Sequence, residues 1–146
     1  MELIDIGCNL THDSFDEDLD VVLERARSAG VAQFIITGAS HEGTQKAYEL
    51  ACAFPGELYA TAGVHPHRAD TFEDSTEQLI RTLSEREEVV AVGETGLDYF
   101  RDFSPRGVQR QVFEQHIDIA AETGLPMFLH LRDAHDDFHA ILSEAR

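Results

Sequence analysis

A parallel α/β fold is predicted for this 146-residue chain by three observations. Short apolar runs are continuous rather than alternating, as in strands covered on both faces. Amphipathic segments with helix start and stop signals lie between them. The two kinds of segment alternate along the chain, which predicts a parallel sheet with right-handed crossovers.

The first strand is expected over residues 3–8, "LIDIGC". Leu19, Val22, Leu23 and Ala26 then keep the i, i+3, i+4, i+7 spacing of a helix, and Gly30 supplies its stop. The acidic run over residues 13–20 reads as the first turn of that helix, where negative charge suits the dipole. The second strand covers residues 32–37. Ala47, Leu50, Ala51 and Phe54 mark the second helix, with Ser40 ahead and Pro55-Gly56 behind. A third strand at 58–64 precedes a helix marked by Leu79, Ile80 and Leu83. The fourth strand covers residues 89–93. Ser104-Pro105 then reads as a cap followed by proline in the first helical position, and Val112, Phe113, His116, Ile117 and Ala120 carry a long helix to Gly124. The fifth strand covers residues 126–131, and Phe138, Ile141 and Leu142 mark the fifth helix. This βα rhythm fits an open doubly wound sheet or a (β/α)8 barrel. The first βα turn, "DIGCNLTH", lacks GxGxxG and disfavours a dinucleotide fold.

Composition narrows the function classes. Lys46 is the single lysine; with 10 arginines against 28 acids the formal charge is −17. Such a surface repels nucleic acid as a whole and counts against a basic-groove DNA binder. An enzyme that grips a few phosphates through metal ions remains compatible with it. Cys8 and Cys52 form no CxxC or Cys/His cluster, so neither a disulfide scaffold nor a cysteine–zinc site is suggested. The start "MELIDIG" lacks the features of a signal peptide, and no apolar run approaches the ~20 residues of a membrane span. A cytoplasmic protein with no membrane partner is expected.

The residues that terminate the strands carry the chemistry. The first strand ends near Asn9, the third runs into His65-Pro66-His67, the fourth ends at Glu94 and the fifth at His130. The carboxyl ends of parallel strands converge on one face, so these groups are predicted to meet. A glutamate with neutral imidazoles is a shell for Mg, Mn or Zn. Each residue also has a plainer reading. Glu94 alone is a structural ion pair or a solvated strand end, His130 a satisfied core histidine, and His65-Pro66-His67 a rigid turn whose imidazoles cap backbone groups. His116, on the apolar stripe of the fourth helix, is read as structural, and His135 and His139 as a solvated helix face.

Four motifs, "DIGCNLTH", "TAGVHPH", "VVAVGETGLDYF" and "GLPMFLHLRDAH", together resemble the TatD family of metal-dependent deoxyribonucleases, amidohydrolase-like enzymes on a TIM-type barrel. The resemblance implies a (β/α)8 barrel of which residues 1–146, about five βα units, are the N-terminal portion. It implies that Glu94 and His130 are metal ligands, with Glu94 bridging two divalent ions. It places His65 and His67 at the substrate phosphate, with Arg132 and Asp98 nearby. Two departures stand out. The family's D-x-H-x-H ligands correspond here to Gly7 and Asn9, so Asn9 is expected only at the rim of the site. Family chains have about 250 residues or more, which puts the general-base Asp beyond Arg146 and makes a C-terminal half a needed partner. The implied function is cleavage of DNA phosphodiester bonds, in the manner of a 3′–5′ exonuclease. The alternatives are a catalytically incomplete piece and a related amidohydrolase acting on a small ester or amide.

Overall fold

The computed structural model describes residues 2–145. Five strands, β1 (Leu3–Cys8), β2 (Val31–Ile36), β3 (Leu58–Ala62), β4 (Val89–Asp98) and β5 (Met127–Arg132), alternate with five helices, α1 (Leu19–Ser28), α2 (His41–Ala53), α3 (Asp74–Leu83), α4 (Arg106–Thr123) and α5 (His135–Glu144). All four strand pairings are parallel, and the spatial order is the sequence order, β1-β2-β3-β4-β5. This order decides between the two architectures. A doubly wound sheet reverses direction at a switch point, whereas a barrel adds each strand beside the last. The described residues are five βα units of a half-barrel.

The main core lies between sheet and helices, around Leu23, Phe34, Ile36, Leu58, Val92 and Ile119. The other sheet face is covered unevenly. The outer strands differ from the doubly covered strands predicted: Ile4 and Ile6 of β1 are 54% and 63% exposed, and Leu129 and Leu131 of β5 are also exposed.

Local signals held where they were backbone signals. Ser40 Oγ caps α2 by accepting from the Gly43 amide at 3.0 Å, and Gly124 closes α4 in the left-handed conformation. Others fall differently. The acidic run splits: Asp13–Phe15 is a separate 3-10 turn, and only Asp20 lies in the first turn of α1. Ser104 caps nothing; Pro105 is the N-cap of α4, and the Ser104 hydroxyl donates to Asp70 Oδ1 at 3.0 Å. β4 and β5 run past the predicted ends at Gly93 and Leu131 to Asp98 and Arg132.

Candidate active site

Glu94 does not end a strand. In the β4–β5 ladder Gly93 pairs with Phe128 and Thr95 with Leu129, so Glu94 is the extra residue of a bulge within β4. Its amide donates instead to the Gly38 carbonyl at 2.7 Å. Gly93 and Gly96 have φ of +136° and +140°, and a Cβ on either would run into the carbonyl of Phe128 or His130. Glycine at both positions lets β5 approach closely while the bulge swings the glutamate out of the ladder. His130 is likewise interior to its strand, paired with Gly96.

The turn after β3 brings in the other two imidazoles. The His65 amide donates to the Ala39 carbonyl at 3.0 Å. His65 Nδ1 accepts the His67 amide at 3.1 Å and caps the 3-10 turn Pro66–Thr71. Thr44 of α2 grips Gly63, donating to its carbonyl at 3.0 Å and accepting its amide at 3.1 Å. His116 of α4 accepts the Val64 amide on Nε2 at 3.0 Å and donates from Nδ1 to Val112 O at 2.7 Å. It is structural, as predicted, and it positions the turn.

Glu94, His65, His67, His130 and Asp98 therefore form one cluster. Asp98 is its anchor. Its Oδ2 accepts from His67 Nε2 at 2.7 Å and from His130 Nε2 at 3.1 Å, and its Oδ1 accepts the amides of Phe100 at 3.1 Å and Arg101 at 2.8 Å. Burial works to raise its pKa, but the Arg101 amide and the two imidazoles outweigh that and bring it down to about 2. His65 is pushed down to about 4, by burial first and then by its His130 and His67 neighbours.

Hydrogen bonding assigns the ring nitrogens. His65 Nδ1 is an acceptor, so its neutral ring carries the proton on Nε2, 3.7 Å from Glu94 Oε1. His130 Nε2 stands 3.1 Å from Asp98 Oδ2 and its Nδ1 stands 3.3 Å from Glu94 Oε1. With Nε2 turned to the aspartate, the Nδ1 side and the glutamate oxygen face each other across a gap that a divalent cation can fill. Two ligands of one divalent ion, each ~2.0–2.2 Å from it, stand about that far apart. One nitrogen each of His65, His67 and His130 also lies within 4.8 Å of the others, a grouping that could hold a metal ion. With His65 Nδ1 held by a backbone amide, Glu94 and His130 are the pair that fits a divalent metal. His135 and His139 are exposed, with ring centroids 6.3 Å apart, and stand outside it.

Two predicted residues sit at the margin. Asn9 lines a cleft of about 400 Å³ that also holds His65, His67 and Glu94. Arg132 lies over the Phe100 ring, 3.9 Å from its centroid. Two residues escaped the sequence reading. Arg68 lines the same cleft and a neighbouring one of about 320 Å³. It is exposed and, unlike Lys46, which pairs with Glu42 at 2.8 Å, has no carboxylate partner among the described residues. Gln109 accepts the Asp98 amide at 2.9 Å and donates to Ser104 O at 2.8 Å. Ser104 ties that loop to Asp70. The signal for Gln109 was available: an amide on the buried stripe with Val112, Phe113 and His116 needs partners.

Residues 4–146 match the family model described as TatD related DNase. The chain belongs to the TatD-related DNase family. Among its relatives, the 3′-5′ ssDNA/RNA exonuclease TatD of Pantoea sp. (strain At-9b) is 47% identical over 140 residues, covering 96% of this chain and 54% of that protein. The 3′-5′ ssDNA/RNA exonuclease TatD of Dickeya dadantii (strain 3937) is 47% identical over 141 residues, covering 97% and 53%. Among solved structures, the TatD homolog YJJV from Escherichia coli K12 superposes with a TM-score of 0.88 at 30% identity, covering 98% of this chain and 56% of that one. A hydrolase TatD family protein from Entamoeba histolytica gives 0.89 at 32%, covering 99% and 55%. The chain spans about half the length of the curated relatives it matches.

Proposed function

We propose that residues 1–146 are the N-terminal portion of one metal-dependent hydrolase barrel that cleaves phosphodiester bonds of single-stranded nucleic acid from the 3′ end. The observation that carries this reading is the approach of His130 Nδ1 to Glu94 Oε1 at 3.3 Å, with His65 Nε2 3.7 Å from the same oxygen. The names of the TatD relatives, 3′-5′ ssDNA/RNA exonucleases, support the substrate class and polarity. Glu94 and His130 would hold the metal, Mg, Mn or Zn, as part of a two-ion site in the complete protein. When bound, such ions supply positive charge for the phosphate and lower the pKa of water.

The remaining roles belong to side chains. Asp98 fixes the tautomer and orientation of His130 and His67. His65 presents a neutral N–H donor to a phosphate oxygen. His67 and Arg68 line the same cleft, and Arg68 offers a guanidinium without an internal partner. Asn9 forms the rim. The general-base Asp lies outside residues 1–146 in this reading. A cytoplasmic location belongs to the same proposal; no helix among the described residues is long and apolar enough to cross a membrane.

The test is digestion of a single-stranded oligonucleotide by the complete protein. Mg- or Mn-dependent release of nucleotides is expected, with loss in EDTA and at least a ~100-fold fall in Glu94→Gln, the scale of removing one key charge-stabilising group. Equal rates for Glu94→Gln and the parent would remove the assignment.

A further inference from the structure

The loop between β4 and α4 displays two aromatic rings to solvent while being held rigidly from below. Phe100 and Phe103 are 56% and 63% exposed. Asp98 Oδ1 accepts the amides of Phe100 and Arg101. Gln109 donates to the carbonyls of Ser104 and Asp98, at 2.8 and 3.3 Å. A phenyl ring left in water forgoes its transfer free energy, and a tightly bonded loop gives that exposure no origin in disorder.

The surroundings of the rings are specific. Arg132 covers one face of Phe100 at 3.9 Å from the centroid, and Arg101 lies 5.8 Å away. Phe100 stays 56% exposed beside these two cations. Phe103 meets His67 edge to face, with centroids 4.9 Å apart, so it stands at the lip of the carboxylate–imidazole cluster. Asp102, the acid within the loop, is paired to Arg106 at 2.6 Å. The patch therefore joins two exposed aromatic rings to two guanidinium groups that make no ion pair among the described residues, on a chain whose formal charge is −17. Aromatic faces beside cations are what an unpaired nucleobase and its phosphate require, and every base has a π-face to stack.

We propose that Phe100 and Phe103 form a stacking platform for the terminal unpaired bases of a single-stranded nucleic acid, with Arg101 and Arg132 beside the flanking phosphates. The inference rests on the nuclease reading above and adds the residues that grip the base. A paired duplex end keeps its bases stacked on each other, so the platform selects single strands without selecting sequence.

The experiment uses the complete protein and an oligonucleotide whose terminal linkages are uncleavable phosphorothioates, with 2-aminopurine or an abasic unit at the 3′-terminal positions. Binding to the parent is expected to quench 2-aminopurine, and the abasic strand to bind ~10-fold more weakly, the scale of one lost base–aromatic stack. Phe100→Ala/Phe103→Ala should lose the quench and bind both strands alike, whereas Phe100→Tyr/Phe103→Tyr should restore discrimination. Equal affinity of the parent for intact and abasic strands overturns the platform, and needs no variant to fold. Undiminished quenching in the alanine variant overturns it as well. A parent that cleaves ordinary oligonucleotide but fails these tests loses only the platform. A parent that neither binds nor cleaves loses the nuclease reading, and the platform with it.

Discussion

His65 illustrates a residue whose role is set by its hydrogen bonds. The pattern His-Pro-His admitted both a rigid turn and a site; Nδ1 caps the turn, and Nε2 lies 3.7 Å from Glu94 Oε1. The two functions separate in a substitution. Asparagine at position 65 can accept the His67 amide through its side-chain oxygen but offers nothing at the Nε2 position. Steady-state kinetics of His65→Asn in the complete protein should show a fall in kcat of about 100-fold with normal folding; a parent-like kcat would leave His65 as a cap alone. Thr95, next to Glu94, gives a prediction of opposite sign. Its hydroxyl is buried with no hydrogen-bond partner. Thr95→Val keeps the shape and removes the unsatisfied group, so thermal denaturation should show a gain of about 1 kcal/mol. Neither property of these residues is legible in the sequence, because each depends on which polar neighbour the fold supplies.

At the scale of elements, β4, β5 and the turn after β3 carry the cluster, and α4 braces it from outside. The glycines of "GETG" signal an irregular strand, but the bulge at Glu94 is defined by the register of β5, more than 30 residues away. That is why the sequence places Glu94 at a strand end and the structure places it mid-strand. Gly96→Ala should cost more than ~1 kcal/mol, since alanine resists the positive φ and its Cβ meets the His130 carbonyl. Calorimetric metal titration should then show weakened binding, because His130 is displaced; unchanged stability and affinity would contradict the close approach. α4 contributes a pH dependence through His116. Burial pushes its imidazole from 6.5 down to about 4 in the folded chain. Below pH 6.5 the unfolded chain takes up a proton that the folded one refuses until about pH 4. Stability from this group is complete above pH 6.5 and falls by about 3 kcal/mol as the pH drops through that window. Urea denaturation at pH 7 and pH 4.5 should show this fall, and His116→Gln should flatten it.

For the molecule as a whole, the alternation of strands and helices was readable from apolar periodicity, and the sheet order then separated barrel from doubly wound sheet. Uneven cover was not readable, because a continuous apolar run looks the same at an edge and in the middle of a sheet. Ile4, Ile6, Leu129 and Leu131 leave apolar surface open on the outer strands. The 146-residue polypeptide by itself is expected to self-associate at micromolar concentration through these strands. Size-exclusion chromatography should show species larger than 16.3 kDa, and a clean monomer would mean that the exposed strands are tolerated. The cluster also has a history within each molecule. Asp98 clasps His67, 31 positions before it, and His130, 32 after it. A ribosome must therefore release β5 before the cluster can assemble, so a half-made chain holds only scattered histidines and acids. The order of synthesis keeps the carboxylate–imidazole cluster from forming early.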